Sequence, residues 1–288
     1  MKRLGAFLSL SSLSLLALAG CGDDETDPNP TPAGAEVAVA FTAQVGAEAF
    51  ACGSEYMGIG ATSSPLTVKD MRFYVHDVRL VDDEGNEVPV TLEQDGKWQQ
   101  GTVALLDFED GTNGCDAGNP DTNVSIRGTV PEASTFTGIR FTMGVPFDVN
   151  HADAATAPAP LNLTSLWWNW NGGYKFIRID GSTPGLDAWR FHLGSTACDG
   201  DMSGNVTTCG NPNRVEVAID GFDPTASSVV FDLAAMLEGV DLETNSMDTP
   251  PGCMAAPVDP DCELYFQNLG LPWDGASAGA QLVFRAGE

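Results

Sequence analysis

Histidine is scarce in this chain: His76, His151 and His192 are the only three. Each stands in distinctive company: Arg72-Phe73-Tyr74-Val75-His76-Asp77, Asn150-His151-Ala152-Asp153 and Phe191-His192-Leu193-Gly194-Ser195. Imidazole is the usual side-chain ligand for copper and zinc, although a single histidine more often serves as a hydrogen-bonded structural group. On strand alternation His76 shares a face with Tyr74, Val78 and Leu80, and His192 lies opposite Trp189, Phe191 and Leu193. The second unusual feature is Leu166-Trp167-Trp168-Asn169-Trp170-Asn171-Gly172-Gly173-Tyr174-Lys175-Phe176. So dense an aromatic run suits a plug over one end of a β-structure, or an exposed platform for sugar rings. Unmodified indole nitrogen is a donor and not a metal ligand. Met57, Met71 and Met143 could add a soft thioether, but core packing is the ordinary role of methionine. A metal-dependent hydrolase ranks last, because the chain has no HExxH zinc motif.

Carboxylates suggest a second ion. Asp199-Gly200-Asp201-Met202-Ser203-Gly204 begins like a calcium loop, but Gly210 stands where the bidentate Glu belongs, so the EF-hand pattern fails. Asp107, Asp110 and Asp116 form another acidic stretch. Solvated turns explain both, with calcium as the alternative. The full chain carries 13 Lys+Arg against 40 Asp+Glu, a formal net charge of −27. Such a surface repels phosphate backbones and argues against a nucleic-acid partner.

The elements that must position these residues read as strands. Val37, Val39, Phe41, Ala43 and Val45 alternate with small or polar residues, the pattern of a half-buried strand. Residues 72–81 form a second strand, turning through Asp82-Asp83-Glu84-Gly85-Asn86 into 88–92. Further strands are expected at 103–108, 123–130, 138–145, 174–179, 188–193, 214–219, 228–233 and 281–285. Short helices are expected only at 232–238 and 161–168. The chain beyond residue 35 therefore reads as one all-β, sandwich-like domain over 36–288, with long loops and few short helices.

The first residues carry an export signal. Lys2 and Arg3 precede an apolar stretch that ends in Leu18-Ala19-Gly20-Cys21. This is the layout of a cleaved signal over residues 1–20, and the stretch is short for a membrane span. A cysteine at the first mature position is the mark of a lipoprotein, its thiol accepting the lipid anchor. Residues 21–35, rich in Asp, Pro and small polar residues, then read as a disordered tether. The expected location is the cell envelope, as a periplasmic lipoprotein anchored in the outer membrane, since Gly22 and not Asp follows Cys21. Without Cys21, six of the seven cysteines remain: Cys52, Cys115, Cys198, Cys209, Cys253 and Cys262. An even number in an oxidising compartment suggests three disulfides, with connectivity open. Cys198 with Cys209 and Cys253 with Cys262 would close short loops, leaving Cys52 with Cys115 as a long-range staple.

Several runs resemble the MbnP family, also called the metallo-mystery-pair four-Cys proteins. They are Phe73-Tyr74-Val75-His76-Asp77-Val78-Arg79-Leu80, Ala104 to Asp110, Gly144-Val145-Pro146-Phe147 with Asn150-His151, and Pro160-Leu161-Asn162. The most specific are Trp168-Asn169-Trp170 with Gly172-Gly173-Tyr174-Lys175-Phe176, His192-Leu193-Gly194-Ser195, and Cys209-Gly210-Asn211-Pro212-Asn213-Arg214. They occur in family order. The resemblance implies a non-enzymatic copper-binding protein of copper homeostasis. It also implies that the first Trp of the WxW motif, here Trp168, is oxidised to kynurenine. The oxidant would be a di-haem partner of the MauG/cytochrome c peroxidase type (MbnH type). Opening the indole frees an aryl amine, a nitrogen donor that the indole lacks. His151 and His192 are the favoured additional ligands, with His76 third, and a low-coordinate nitrogen set suits Cu(I) better than Cu(II). The rival reading is a glycan- or partner-binding sandwich that uses the Trp cluster.

Overall fold

The computed structural model describes residues 34–115, 118–169, 171–201 and 205–287. The readings made on the leader, Cys21 and most of the tether lie outside them, as do those on Asp116, Trp170 and 202–204. The described residues belong to one compact unit, Gly34–Glu288, and among them no helix is long and apolar enough to cross a membrane.

Two sheets face each other. The smaller runs in the order Phe284–Gly287, Ser228–Asp232, Ala35–Val45, Ser125–Val130, Thr91–Leu92. The larger is organised on one 19-residue strand, Ser64–Asp82. One side of that strand pairs first with Ile177–Ser182 and then with Phe136–Met143. The other side pairs in succession with Glu55–Ile59, Val103–Asp107 and Glu87–Pro89. Trp189–Leu193 and Val215–Asp220 extend the sheet outward. The fold is therefore an all-β sandwich with few short helices, as the alternation of apolar residues predicts.

The inner faces meet in a core of aromatic rings. Phe73 on the long strand touches Phe41, Phe231 and Phe284 of the smaller sheet, with centroids 6.3, 5.2 and 5.7 Å away. All four are essentially buried. Each such side chain contributes about 1.5–3 kcal/mol by leaving water, and edge-to-face rings add geometric preference. A second cluster lies on the other face of the larger sheet: Tyr74, Val103, Leu105, Val145, Leu161, Leu166, Tyr174 and Phe176. The chain between Gly144 and Lys175 supplies more than half of it, Ala154 included. A long loop thus folds over the outer face as a lid of its own apolar residues.

Three disulfides staple the unit: Cys52–Cys115, Cys198–Cys209 and Cys253–Cys262. The first ties segments 63 residues apart, and the others close short loops.

Two sequence expectations need correction. The helix expected over 161–168 is only a 3-10 turn, Thr164–Leu166, after which Trp167–Asn169 is a strand. That strand pairs antiparallel with Gly173–Tyr174, and bulky aromatic residues suit such a ladder better than a helix turn. Secondly, His76 and Tyr74 do not share a face with Val78 and Leu80. Asp77 adopts a left-handed φ of 53°, and the register against Phe136–Met143 slips there. This bulge reverses the alternation, so Val78 and Leu80 enter the inner core while Tyr74 joins the outer cluster.

Candidate metal centre

The larger sheet changes partner strands at Tyr74, and the outer-face site is built around that point. The Tyr74 N–H donates to the Phe176 carbonyl, while its own carbonyl accepts from the Gly144 N–H, both at 2.8 Å. The loop between Gly144 and Phe176 must therefore leave and rejoin the sheet beside one residue. Tyrosine hydroxyls hold it down: Tyr74 Oη donates to Pro160 O at 2.9 Å and Tyr174 Oη to Leu161 O at 2.5 Å. Burial raises both phenols, that of Tyr174 to about 12, so both remain protonated donors.

His192 lies on Trp189–Leu193 and is buried. Its register partner is Arg178, which brings Asp180 of the same neighbouring strand beside the ring. His192 Nε2 donates to Asp180 Oδ1 at 2.6 Å. Burial alone would raise the Asp180 carboxyl, but the His192 N–H and the Arg178 guanidinium together hold it well below the usual carboxylate range. Burial outweighs Asp180 at the imidazole itself and lowers the His192 pKa, keeping the ring neutral. The tautomer follows: the proton is on Nε2, so Nδ1 carries the lone pair. Nδ1 is buried and has no hydrogen-bond partner among the described residues. A buried, unpaired nitrogen lone pair is costly unless it receives a ligand.

Behind this pair runs a line of alternating charges. Arg178 also contacts Asp70 at 3.1 Å, and Asp70 pairs with the buried Arg72. Lys175 Nζ and Arg178 Nη1 both donate to Ser165 O, at 2.9 and 3.3 Å. Burial, with Arg178 nearby, lowers the lysine to about 8. Asp107, one of the residues weighed for calcium, lies in this buried network, and burial raises its carboxyl to about 7. It accepts from the Glu109 N–H, as Asp110 does from Thr112 and Asp201 from Asn205. These carboxylates are employed as turn acceptors.

Trp168 is half-buried and packs against the inner core cluster. Its six-membered ring lies over Gly194, where a Cβ would come within 2.5 Å of Trp168 Cζ3 and 2.6 Å of Tyr174 O. Two residues along the chain from His192, that position has room only for hydrogen. Trp167 turns the other way onto the outer cluster, with Nε1 buried and unpaired. Both described indoles of the run cover apolar residues, whereas a sugar platform needs bare ring faces.

His151 follows the short helix Phe147–Asn150. Asn150 is buried, and its Oδ1 accepts from Tyr174 N at 3.1 Å. Its Nδ2 donates to His151 Nε2 at 3.2 Å. Gly173, at φ 69°, makes this fit possible, since a Cβ there would lie 2.5 Å from Asn150 Nδ2. Cys209 Sγ is 3.5 Å from the same His151 nitrogen. His76 donates through Nδ1 to Gly144 O at 2.9 Å, and burial lowers its pKa. All three histidines thus sit on or under the same outer-face loop system. Their ring nitrogens do not gather within 4.8 Å of one another as a closed three-ligand set. Met71 and Met143 are fully buried in the inner core and Met57 is largely exposed.

Sequence reasoning missed Asp180, and it named Asn150 only as the neighbour of His151. Asp180 alternates with Arg178 on an otherwise apolar strand, which marks an outer position, but its proximity to His192 depends on strand register.

An all-β, disulfide-stapled sandwich that carries imidazoles and a packed indole on and around one outer-face loop is the class that fold and site define. The family model of MbnP matches residues 34–255, and the chain belongs to the MbnP family. Among solved structures it is similar to MbnP from Methylosinus trichosporium, with a TM-score of 0.78 and 30% identity. That match covers 88% of this chain and 98% of the other. No functionally curated protein matches the sequence.

Proposed function

We propose that this is a copper-binding protein of copper homeostasis in the bacterial envelope. Its site would combine His192, His151 and a kynurenine formed from Trp168 by a di-haem partner, with His76 beside them. Family membership supports the copper-associated role in general. The observation that carries the site is the buried, unpaired Nδ1 of His192, on a ring fixed and kept neutral by its surroundings. Metal-binding histidines ordinarily donate their other N–H to a carboxylate in this way. Trp168, packed over Gly194, stands beside the same strand end. As an aryl amine, its nitrogen would join imidazoles in the neutral nitrogen set that suits Cu(I). Copper held there would be cargo, and the protein would be the substrate of an oxidising enzyme and not itself a catalyst.

The direct test is peptide mass spectrometry across 161–175 on protein from its native host, together with copper content. Trp168 recovered as kynurenine in copper-loaded protein is the expected result. Unmodified Trp168 in copper-loaded protein would overturn the modification. A second expectation concerns Asp180. Asp180→Asn keeps the shape but removes the charge that fixes the His192 tautomer, and copper affinity should fall roughly 10–100-fold. An Asp180→Asn protein with native affinity would remove His192 from the ligand set.

A further inference from the structure

We propose that Cys198, Cys209 and His151 form a soft-metal site that opens when the Cys198–Cys209 disulfide is reduced. The two cysteines lie directly opposite each other in the hairpin of Thr196–Gly200 and Val206–Asn211. His151 Nε2 is 3.5 Å from Cys209 Sγ, and all three ligand atoms lie within 4.8 Å of one another. The Asn150 amide donates to this same nitrogen at 3.2 Å, so Nε2 is the unprotonated nitrogen, and a metal ion would take the place of the Asn150 N–H on its lone pair. The set is imidazole plus two sulfurs, and only the S–S bond keeps the sulfurs from acting as thiolates.

Accessibility separates this disulfide from the other two. Cys115, Cys253 and Cys262 are fully buried and Cys52 is 5% exposed, whereas Cys198 and Cys209 are both partly exposed. A thiolate reductant can reach the hairpin bond without unfolding the sandwich, and exchange depends on that access. The hairpin does not rely on the disulfide alone. Thr196 pairs with Asn211 and Asp199 with Thr208, so the strands still hold the two thiols face to face after reduction. Gly200 also rests against Asn171, where a Cβ would meet the Asn171 Oδ1 at 3.0 Å. The hairpin is thereby braced against the turn that follows Trp168.

The chemistry balances with a dithiol as the reductant. One S–S bond breaks in the protein and one forms in the reductant, which gives up two electrons and two protons to Cys198 and Cys209. A soft cation then displaces both thiol protons and takes the neutral imidazole as a third donor. Two thiolates and an imidazole select ions such as Cu(I), zinc or cadmium over hard, oxygen-seeking ones. The site shares His151 with the proposed copper centre but needs neither Trp168 nor His192.

The test uses the full-length chain in detergent carrying Trp168→Phe, so that failure of the copper reading cannot be mistaken for failure of this one. The protein is treated with dithiothreitol without denaturant, desalted without air, and titrated for thiols and with cadmium. The expected result is a pair of new thiols, uptake of a single cadmium ion and a thiolate-to-metal ultraviolet band. Air-oxidised protein and the Cys198→Ser/Cys209→Ser double variant should show no such band. His151→Ala should weaken cadmium binding by the reduced protein about tenfold or more. The proposal is overturned if no thiols appear without denaturant. It is equally overturned if oxidised and reduced protein take up cadmium alike, or if His151→Ala binds with unchanged affinity.

Discussion

Replacing Trp168 with Phe is expected to abolish tight copper binding while the sandwich remains folded. The two halves of that expectation have separate physical causes. Trp168 is half-buried and packs on the core with the six-membered part of its indole, and Phe retains an aromatic ring for that contact. Stability should fall by roughly 1 kcal/mol, the ordinary cost of a single substitution. The phenyl ring, however, cannot be opened to an aryl amine, so the nitrogen donor is lost altogether. Loss of one ligand from a low-coordinate site should cost at least about a hundredfold in affinity, or about 2.8 kcal/mol. Copper competition titrations on protein from the native host read the first effect, and urea unfolding reads the second. Native copper affinity in the variant would end the kynurenine reading and leave the imidazoles to be tested alone.

Gly194→Ala is expected to be the most damaging small substitution at the site. Its methyl group would press on Trp168 Cζ3 at 2.5 Å and on the Tyr174 carbonyl at 2.6 Å. Tyr174 is fully buried and held through its N–H by Asn150, whereas Trp168 is only half-buried where it lies between Gly172 and Gly194. Overpacking of this kind costs roughly 1–3 kcal/mol. The indole is the neighbour able to swing away, so its displacement is the expected relief. The variant should then show lower stability together with a reduced yield of oxidised Trp168, read by urea unfolding and by mass spectrometry of the 161–175 peptide. Full stability with full conversion would mean that the indole does not lie over Gly194.

Much of the architecture was legible from residue patterns. Val39, Phe41, Ala43 and Val45 point into the core as their alternation predicts, and Asp232 caps the helix Leu233–Met236 with its side chain. Local rules failed where backbone conformation or long-range pairing overrode them. The left-handed Asp77 inverts the phase of the long strand, and nothing in Tyr74-Val75-His76-Asp77-Val78 announces a bulge. The hairpin Thr196–Gly200 with Val206–Asn211 escapes the strand pattern, because its strands are mostly polar and exposed.

The sequence by itself determined the chemical vocabulary: three histidines, one rare Trp run, six cysteines for an oxidised fold, and motifs in MbnP order. Tertiary structure alone decided what each imidazole nitrogen faces. His192 Nδ1 is available because antiparallel register sets Asp180 against Nε2, and His151 Nε2 lies beside a disulfide because a hairpin folds back over it. Side-chain identity follows from the local code. Orientation, tautomer and burial follow from partners far away in sequence, here 12 residues for Asp180 and His192 and 58 for His151 and Cys209.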